Sequence, residues 1–398
     1  MDHARGPSGE GAPDQHYVRS GFVDCRAEDA IARLADALHP GDLSLVVLFL
    51  SPGTDVSGFI DQAQKTFAPA QVVGCTTAGE LTGSGYADDQ IVAIGFPQKW
   101  FQTRTILLPD LDDFDALALN ERLIRNRIEL ARNAPGWPSD FTFLLVDGLS
   151  TKEDELTAQL SMGLGPVPFF GGSAGDGTDF EKTFVLHGGK AHSNAAVLIQ
   201  VRSLCPIRVF KTDHLIPTQV RMVVTGADPA RRLVHEINAE PAAREYARML
   251  GKDPEQLTTF TFAAHPVVVQ IGDQHHVRAI QRVADNGDLV FFSAIDEGVV
   301  LTLAEPENMV THLNREIATL TQPAKPDVII ACDCILRRLE AEEKQMAGEI
   351  SRILKKNRIV GFSTYGEQIN AMHVNQTLTG VAIYPPDQSS EQDMTNGA

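Results

Sequence analysis

Apolar positions follow two rhythms along this chain. Between residues 28 and 38, Ala30, Ile31, Leu34, Ala37 and Leu38 recur on one helical stripe, and His39-Pro40-Gly41 closes the run. Residues 44–50 (SLVVLFL) are almost wholly apolar, which predicts a strand covered on both faces. A helical stretch at 55–67 follows, then a second apolar strand entering the turn VVGCTTAGE at 72–80, and a strand at 90–96.

That order occurs three times. The second copy has a strand at 141–148, a helix at 152–164, the turn VPFFGGSAGD at 167–176 and a strand at 194–201. The third has a strand at 327–334, one long helix over 335–356, the turn IVGFSTYGE at 359–367 and a strand at 377–384. Each turn carries a glycine, a small hydroxyl residue, a second glycine and an acid. These are Gly74, Thr76, Gly79 and Glu80; Gly171, Ser173, Gly175 and Asp176; Gly361, Ser363, Gly366 and Glu367. Three copies in one flanking order predict a repeated β-α-β-turn-β-β unit, and with it an α/β fold of mixed β-sheets flanked by helices.

From 204 to 324 the pattern changes to short alternating strands separated by turn signals such as Asp285-Asn286-Gly287. RVFKTDHL, TFAAHPVVVQIG and DLVFFSAI read as strands. A compact helix, PAAREYARML, starts at Pro241 and stops at Gly251, and another spans 307–320 before Pro323 and Pro326. The shift places a domain boundary near Leu204, giving domains 17–204 and 205–385. The polar ends, 1–16 and 386–398, lack the hydrophobicity to order themselves.

Composition narrows the function classes. A chain of 398 residues with 43% hydrophobic content can build two cores without disulfides or a structural metal. A net charge of -18 repels phosphate backbones and anionic membranes, so neither is expected as a partner. Cys25, Cys75, Cys205, Cys332 and Cys334 are odd in number and scattered, which fits a reducing compartment. No run approaches the ~18 apolar residues of a membrane span. A cytoplasmic protein is expected.

Several groups invite a chemical reading. Residues 171–175 satisfy G-x-S-x-G, but 176–180 lead toward a strand rather than a helix, so Ser173 reads as part of a close-packed turn. Cys75 reads as a small buried thiol, and Cys332 with Cys334 lacks the further ligands of a zinc site. Glu80, Asp176 and Glu367 are expected to cap backbone N–H groups rather than act as acid-base residues. No Walker A or dinucleotide fingerprint is present. Among the histidines, His214, His265 and His373 stand out; His235 and His312 fit the polar faces of regular elements. What distinguishes the third copy is His373 with Asn375-Gln376-Thr377, where the first has Asp88-Asp89-Gln90 and the second His192-Ser193-Asn194. Function is expected at that local difference.

The turns VVGCTTAGE and PFFGGSAGD, the strand CDCILRR, the segment VGFSTYGE and the closing NQT together resemble the paired FIST N and FIST C sensory domains, over nearly all of residues 16–384. Within that family, residues 223–251, 263–281 and 291–306 are most similar to the NosP group of nitric-oxide-sensing haemoproteins. The resemblance implies a cytoplasmic sensor without catalytic turnover, holding haem b noncovalently and regulating a partner histidine kinase on binding nitric oxide. The axial ligand it implies is His373 or His214. Many bacterial members place a histidine directly before Asn-Gln-Thr; here Val374 intervenes. The alternative within the family is an amino-acid or metabolite sensor, its ligand cradled by the glycine turns and held by Arg337 or Arg338 and Asn375. A hydrolase using Ser173 or Cys75 is the third reading. Oligomeric state, including a homo-oligomer, stays open.

Overall fold

The computed structural model describes residues 16–272, 274–370 and 372–386. The ends expected to stay unstructured fall outside the described residues, apart from His16 and Pro386.

The triplicated pattern forms three six-stranded mixed sheets around one apolar centre. Unit one runs β1 (Arg19–Asp24), α1 (Ala30–Leu38), β2 (Leu43–Leu50), α2 (Val56–Thr66), β3 (Gln71–Thr76), β4 (Glu80–Thr82), β5 (Gly85–Ala87) and β6 (Gln90–Pro97). Unit two runs β7 (Phe101–Leu108), α3 (Ala116–Asn133), β8 (Ser139–Val146), α4 (Glu153–Leu164), β9 (Phe169–Ser173), β10 (Val185–His187), β11 (Lys190–His192) and β12 (Ala196–Ser203). Unit three opens with β13 (Ile207–Thr212) and is then interrupted by an insertion. The insertion holds β14 (Leu215–Asp228), β15 (Leu233–Ile237), β16 (Glu240–Pro241), α5 (Ala242–Leu250), α6 (Thr259–Ala264), β17 (Val267–Ile271), β18 (Gln274–Arg278), β19 (Ile280–Val283), β20 (Leu289–Phe291) and β21 (Val300–Pro306). Unit three resumes with α7 (Met309–Leu320), β22 (Val328–Cys334), α8 (Ile335–Glu343), α9 (Ala347–Lys356), β23 (Ile359–Thr364), β24 (Glu367–Ile369), β25 (Met372–Val374) and β26 (Leu378–Ile383).

Each unit lends its hairpin to a neighbour. Strand β4 pairs with β23 at Leu81 and Gly361, β10 with β3 at Leu186 and Gly74, and β24 with β9 at Gln368 and Gly171. The loans close a ring, so no sheet is complete without the next unit. This packing requires the repeated glycine. A Cβ on Gly74, Gly171 or Gly361 would stand 2.0, 2.6 or 1.8 Å from the carbonyl oxygen of Leu48, Leu144 or Ala331 on the adjacent parallel strand. At the centre Phe49 stacks on Phe362 and Phe143 on Phe170, each pair with ring centres 4.5 Å apart. The outer faces are covered by α1 and α2, by α3 and α4, and by α7 and α9, each burying an apolar stripe on its own sheet.

Three details differ from the sequence pattern. The helix expected over 335–356 is two helices, broken where Gln345 takes a left-handed φ of 57°. TFAAHPVVVQIG is not one strand: Thr258 and Thr261 form a reciprocal capping box that starts α6, and the strand begins only after Pro266. The opening strands β1, β7 and β13 and the helix α3 complete the repeat but carry too mixed a pattern to reveal it. Strand β1, for example, is Arg-Ser-Gly-Phe-Val-Asp with only Val23 fully buried.

Candidate functional site: two polar seams beneath the insertion

The insertion packs over the ends of β22 and β23. Ala263, Val268, Val277, Ala279, Phe292 and Ala304 meet Cys334, Leu336, Leu339 and Tyr365 in one apolar cluster. Two buried polar seams flank this contact, and each contains a histidine singled out by the sequence.

The first seam lies at the root of the insertion. His214, wholly buried, precedes β14, while Asp333 lies next to the last residue of β22 and Arg337 and Glu340 follow on α8. Arg337 Nε donates to Asp333 Oδ1 at 2.7 Å, and its Nη1 donates to His214 Nδ1 at 2.9 Å. A guanidinium can only donate, so Nδ1 is the acceptor and the ring proton sits on Nε2, which donates to Glu340 Oε2 at 2.9 Å. Lys344 Nζ donates to Glu340 Oε1 at 2.7 Å, and the Tyr86 hydroxyl donates to Asp333 Oδ2. Burial, with the nearby Arg337 charge, holds His214 below its usual pKa despite the Glu340 carboxylate. Burial also pushes the Glu340 carboxyl up, but hydrogen bonds from His214 and Lys344 outweigh it and hold the group below its usual range.

The second seam joins the insertion to the hairpin β24–β25 and to unit two. His373 Nε2 donates to the Phe292 carbonyl at 3.2 Å, which leaves Nδ1 to accept from Gln368 Nε2 at 3.3 Å. Gln368 Nε2 also donates to Ser173 Oγ at 3.0 Å, and Ser173 Oγ donates to Glu153 Oε1 at 3.2 Å. Glu153 Oε2 accepts from Arg232 Nη2 of the insertion at 2.5 Å. Ser293 Oγ reaches Asn375 Oδ1 at 3.4 Å, and Gln376, with a left-handed φ of 49°, donates to the Ala263 carbonyl at 2.8 Å.

This second seam is incompletely bonded. Among the described residues, Asn375 Nδ2, Gln376 Oε1, Gln368 Oε1 and Arg232 Nε are buried with no hydrogen-bond partner. Burying such an atom without a partner costs about 1–3 kcal/mol. The first seam has no such atom in its chain of six residues from Tyr86 to Lys344.

The structure thus brings His373 and Asn375 into one seam and His214 and Arg337 into the other. Arg338 pairs with Asp88 and Glu342 and donates to the Ala87 carbonyl. The glycine turns bind one another: Ala78 N donates to Ser363 O, Ser363 N to Gly79 O, Gly175 N to Thr76 O and Ser173 N to Gly366 O. Their acids cap backbone or hydroxyl groups. Glu367 accepts from Thr377 N and Oγ1, Glu80 from Gln90 N and Thr77 Oγ1, and Asp176 from the amides of Phe180, Glu181 and Lys182. Burial raises the Glu80 carboxyl to about 7 and the Glu367 carboxyl well above its usual range. Ser173 is fully buried, and burial pushes the Cys75 thiol well up, so neither is presented as a nucleophile.

His312 is not on an exposed face: it is buried on α7 with its ring centre 6.2 Å from that of His214. Arg232, Glu153, Ser293 and Gln368 belong to the second seam without any signal in the linear pattern, since three sequence regions supply them.

Profiles of the FIST N domain and the FIST C domain match residues 44–240 and 242–370. The chain belongs to the FIST family. FIST domains imply a sensory role in signal transduction. The border between the two FIST profiles falls at β16, inside the insertion. The chain is also similar to "Uncharacterized protein MJ1623" of Methanocaldococcus jannaschii, 23% identical over 364 residues, 80% of this chain and 69% of that protein. No helix among the described residues is long and apolar enough to cross a membrane.

A haem held by His214 or His373 does not fit this conformation of the FIST fold. The His214 Nδ1 lone pair accepts from Arg337 and the His373 Nδ1 lone pair from Gln368, while both Nε2 atoms carry donated protons. Neither ring offers iron a free lone pair.

Proposed function

We propose that this FIST protein is a small-molecule sensor in which the insertion receives the signal, the ring of three sheets transmits it, and the His373–Asn375–Gln376 seam is the element that switches. The observation that carries this reading is the cluster of buried, partnerless polar atoms in that seam. A partly satisfied polar network in a low-dielectric interior is a weak point of the native state, and its members gain by rearranging or by receiving a new partner. The seam joins three sequence regions that a single rearrangement would move together: 292–293 of the insertion, 368–376 of unit three, and Glu153 with Ser173 of unit two. The reading involves no catalytic turnover.

Amide hydrogen exchange of the purified protein tests it. Residues 292–294 and 372–377 are expected to exchange through a local opening faster than 333–340 of the first seam. Equal protection of the two seams would sink the proposal.

The nitric-oxide reading is second. What favours it is that His373 is held by longer contacts, 3.2 and 3.3 Å, than His214 at 2.9 and 2.9 Å. It requires the hairpin to release His373 from Gln368 or Phe292, and it brings with it a histidine kinase as partner. A Soret band after haem addition that shifts with nitric oxide and is lost in His373→Ala supports it; no Soret band at all excludes it.

A further inference from the structure

The open face of the insertion carries a cleft of about 500 Å³ lined by Arg221, Arg278, Val269, Ile295, Asp296 and Val299, among others. That volume lies in the range of small-molecule sites. Its floor is the sheet formed by β18, β17, β21 and β14, and its wall is the segment 294–296 that follows the second seam. Arg278 is half-buried at the end of β18. Among the described residues no carboxylate lies within ion-pair distance of it, and Nη1 donates only to the carbonyl of its own neighbour Val277, at 3.2 Å. Burial disfavours its charge, and the field of the Asp154 carboxylate opposes that only in part. A guanidinium keeps its proton even so, which leaves a partly desolvated cation with no carboxylate in direct contact among the described residues. Arg221 lines the same cleft and likewise has no ion pair among the described residues. Around the two cations the surface is apolar and wet: Ile271 is 52% and Val300 45% exposed.

We propose that this cleft binds a small organic carboxylate, its charged end on Arg278 and Arg221 and its apolar body on Ile271, Val299 and Val300. A carboxylate supplies a direct counter-ion in the bidentate geometry that a guanidinium favours, and an apolar tail removes exposed aliphatic surface from water. The site also has a physical route to the rest of the molecule, and this step rests on the sensor reading above. The residues walling the cleft continue directly into Phe292 and Ser293, which hold His373 and Asn375. Ala294 N donates to Asp154 Oδ2 at 3.4 Å, and Asp154 faces both Arg278 and Arg232.

Titration calorimetry on the full chain tests the site, with 3-methylbutanoate as probe, its neutral amide as isosteric control and inorganic phosphate as the test for a generic anion patch. The carboxylate is expected to bind one-to-one, the amide about tenfold more weakly or worse, and Arg278→Gln to bring the carboxylate down to the level of the amide. Equal binding of acid and amide, phosphate binding as tightly as the carboxylate, or an Arg278→Gln variant with unchanged affinity would each overturn the site. Because the amide comparison uses the unmodified protein, it stands even if the variant folds poorly. Hydrogen exchange with the carboxylate bound separates the two claims. Binding that leaves 372–377 unchanged upholds the cleft and contradicts the relay, whereas absent binding overturns the cleft and leaves the relay to its own exchange test.

Discussion

Two histidines, equally hidden from solvent, join the insertion to the ring of sheets in opposite ways. His214 sits in a continuous chain of hydrogen bonds that runs from Tyr86 through Asp333 and Arg337 to Glu340 and Lys344. His373 sits among side chains that each leave one buried polar atom without a partner among the described residues, as at Asn375 Nδ2, Gln376 Oε1 and Gln368 Oε1. The first arrangement fixes the root of the insertion in one geometry. The second holds the hairpin in a geometry that does not exhaust its polar groups, and that is the property expected of an element with a second state. A buried histidine therefore says little about function until its neighbours are counted.

The comparison can be broken by substitution. Arg337→Met leaves Asp333 buried with only Tyr86 as partner and strips the donor from His214 Nδ1, so it is expected to cost about 3–5 kcal/mol in urea unfolding. A loss below about 1 kcal/mol would show that the first seam is not a lock. Arg232→Met removes the buried partner of Glu153 in the second seam and is expected to cost less, about 2–3 kcal/mol, because Ser173 still donates to Glu153 and Arg232 Nε had no partner to lose. If it costs more than Arg337→Met, the ranking of the two seams is reversed.

Acid sharpens the contrast more gently. With its folded pKa below the ordinary value of 6.5, His214 contributes stability that is present above about pH 6.5 and is lost as pH falls below that toward the folded pKa, where the unfolded chain binds the extra proton. Nitrogen NMR is expected to find the His214 ring neutral, protonated on Nε2, at pH 6.5 and somewhat below. A ring half-protonated at pH 6.5, or one carrying its proton on Nδ1, contradicts the hydrogen-bond chain.

The sequence made the repeat legible because its central strands are continuous apolar runs and its glycines cannot be replaced where strand backbones touch, as at Gly74 and Gly361. The hairpin exchange was not legible. Residues 80–87 carry a turn pattern that is the same whether they pair with their own sheet or with β23, and only the closed ring decides it. Nor did the change of pattern near Leu204 show that β13 belongs to the third sheet, where it pairs with β26 across the whole length of the insertion. The candidate site was half visible. The oddity of His373 and Asn375 stood out against the other two copies, but Ser293 and Arg232 of the insertion and Glu153 of unit two lie far from them in sequence and join the site only through folding.

The central claim is that the second seam is kept incomplete at the expense of stability, and Asn375→Leu tests it most directly. The substitution keeps the side-chain shape while removing a buried amide whose Nδ2 has no partner among the described residues and whose Oδ1 has only the long 3.4 Å contact with Ser293 Oγ to lose. Urea unfolding is expected to give a free energy unchanged or raised by about 1 kcal/mol, together with slower amide exchange at 372–377. A loss of about 2 kcal/mol or more, with exchange there unchanged or faster, would show that Asn375 is an ordinary structural residue and would contradict the account.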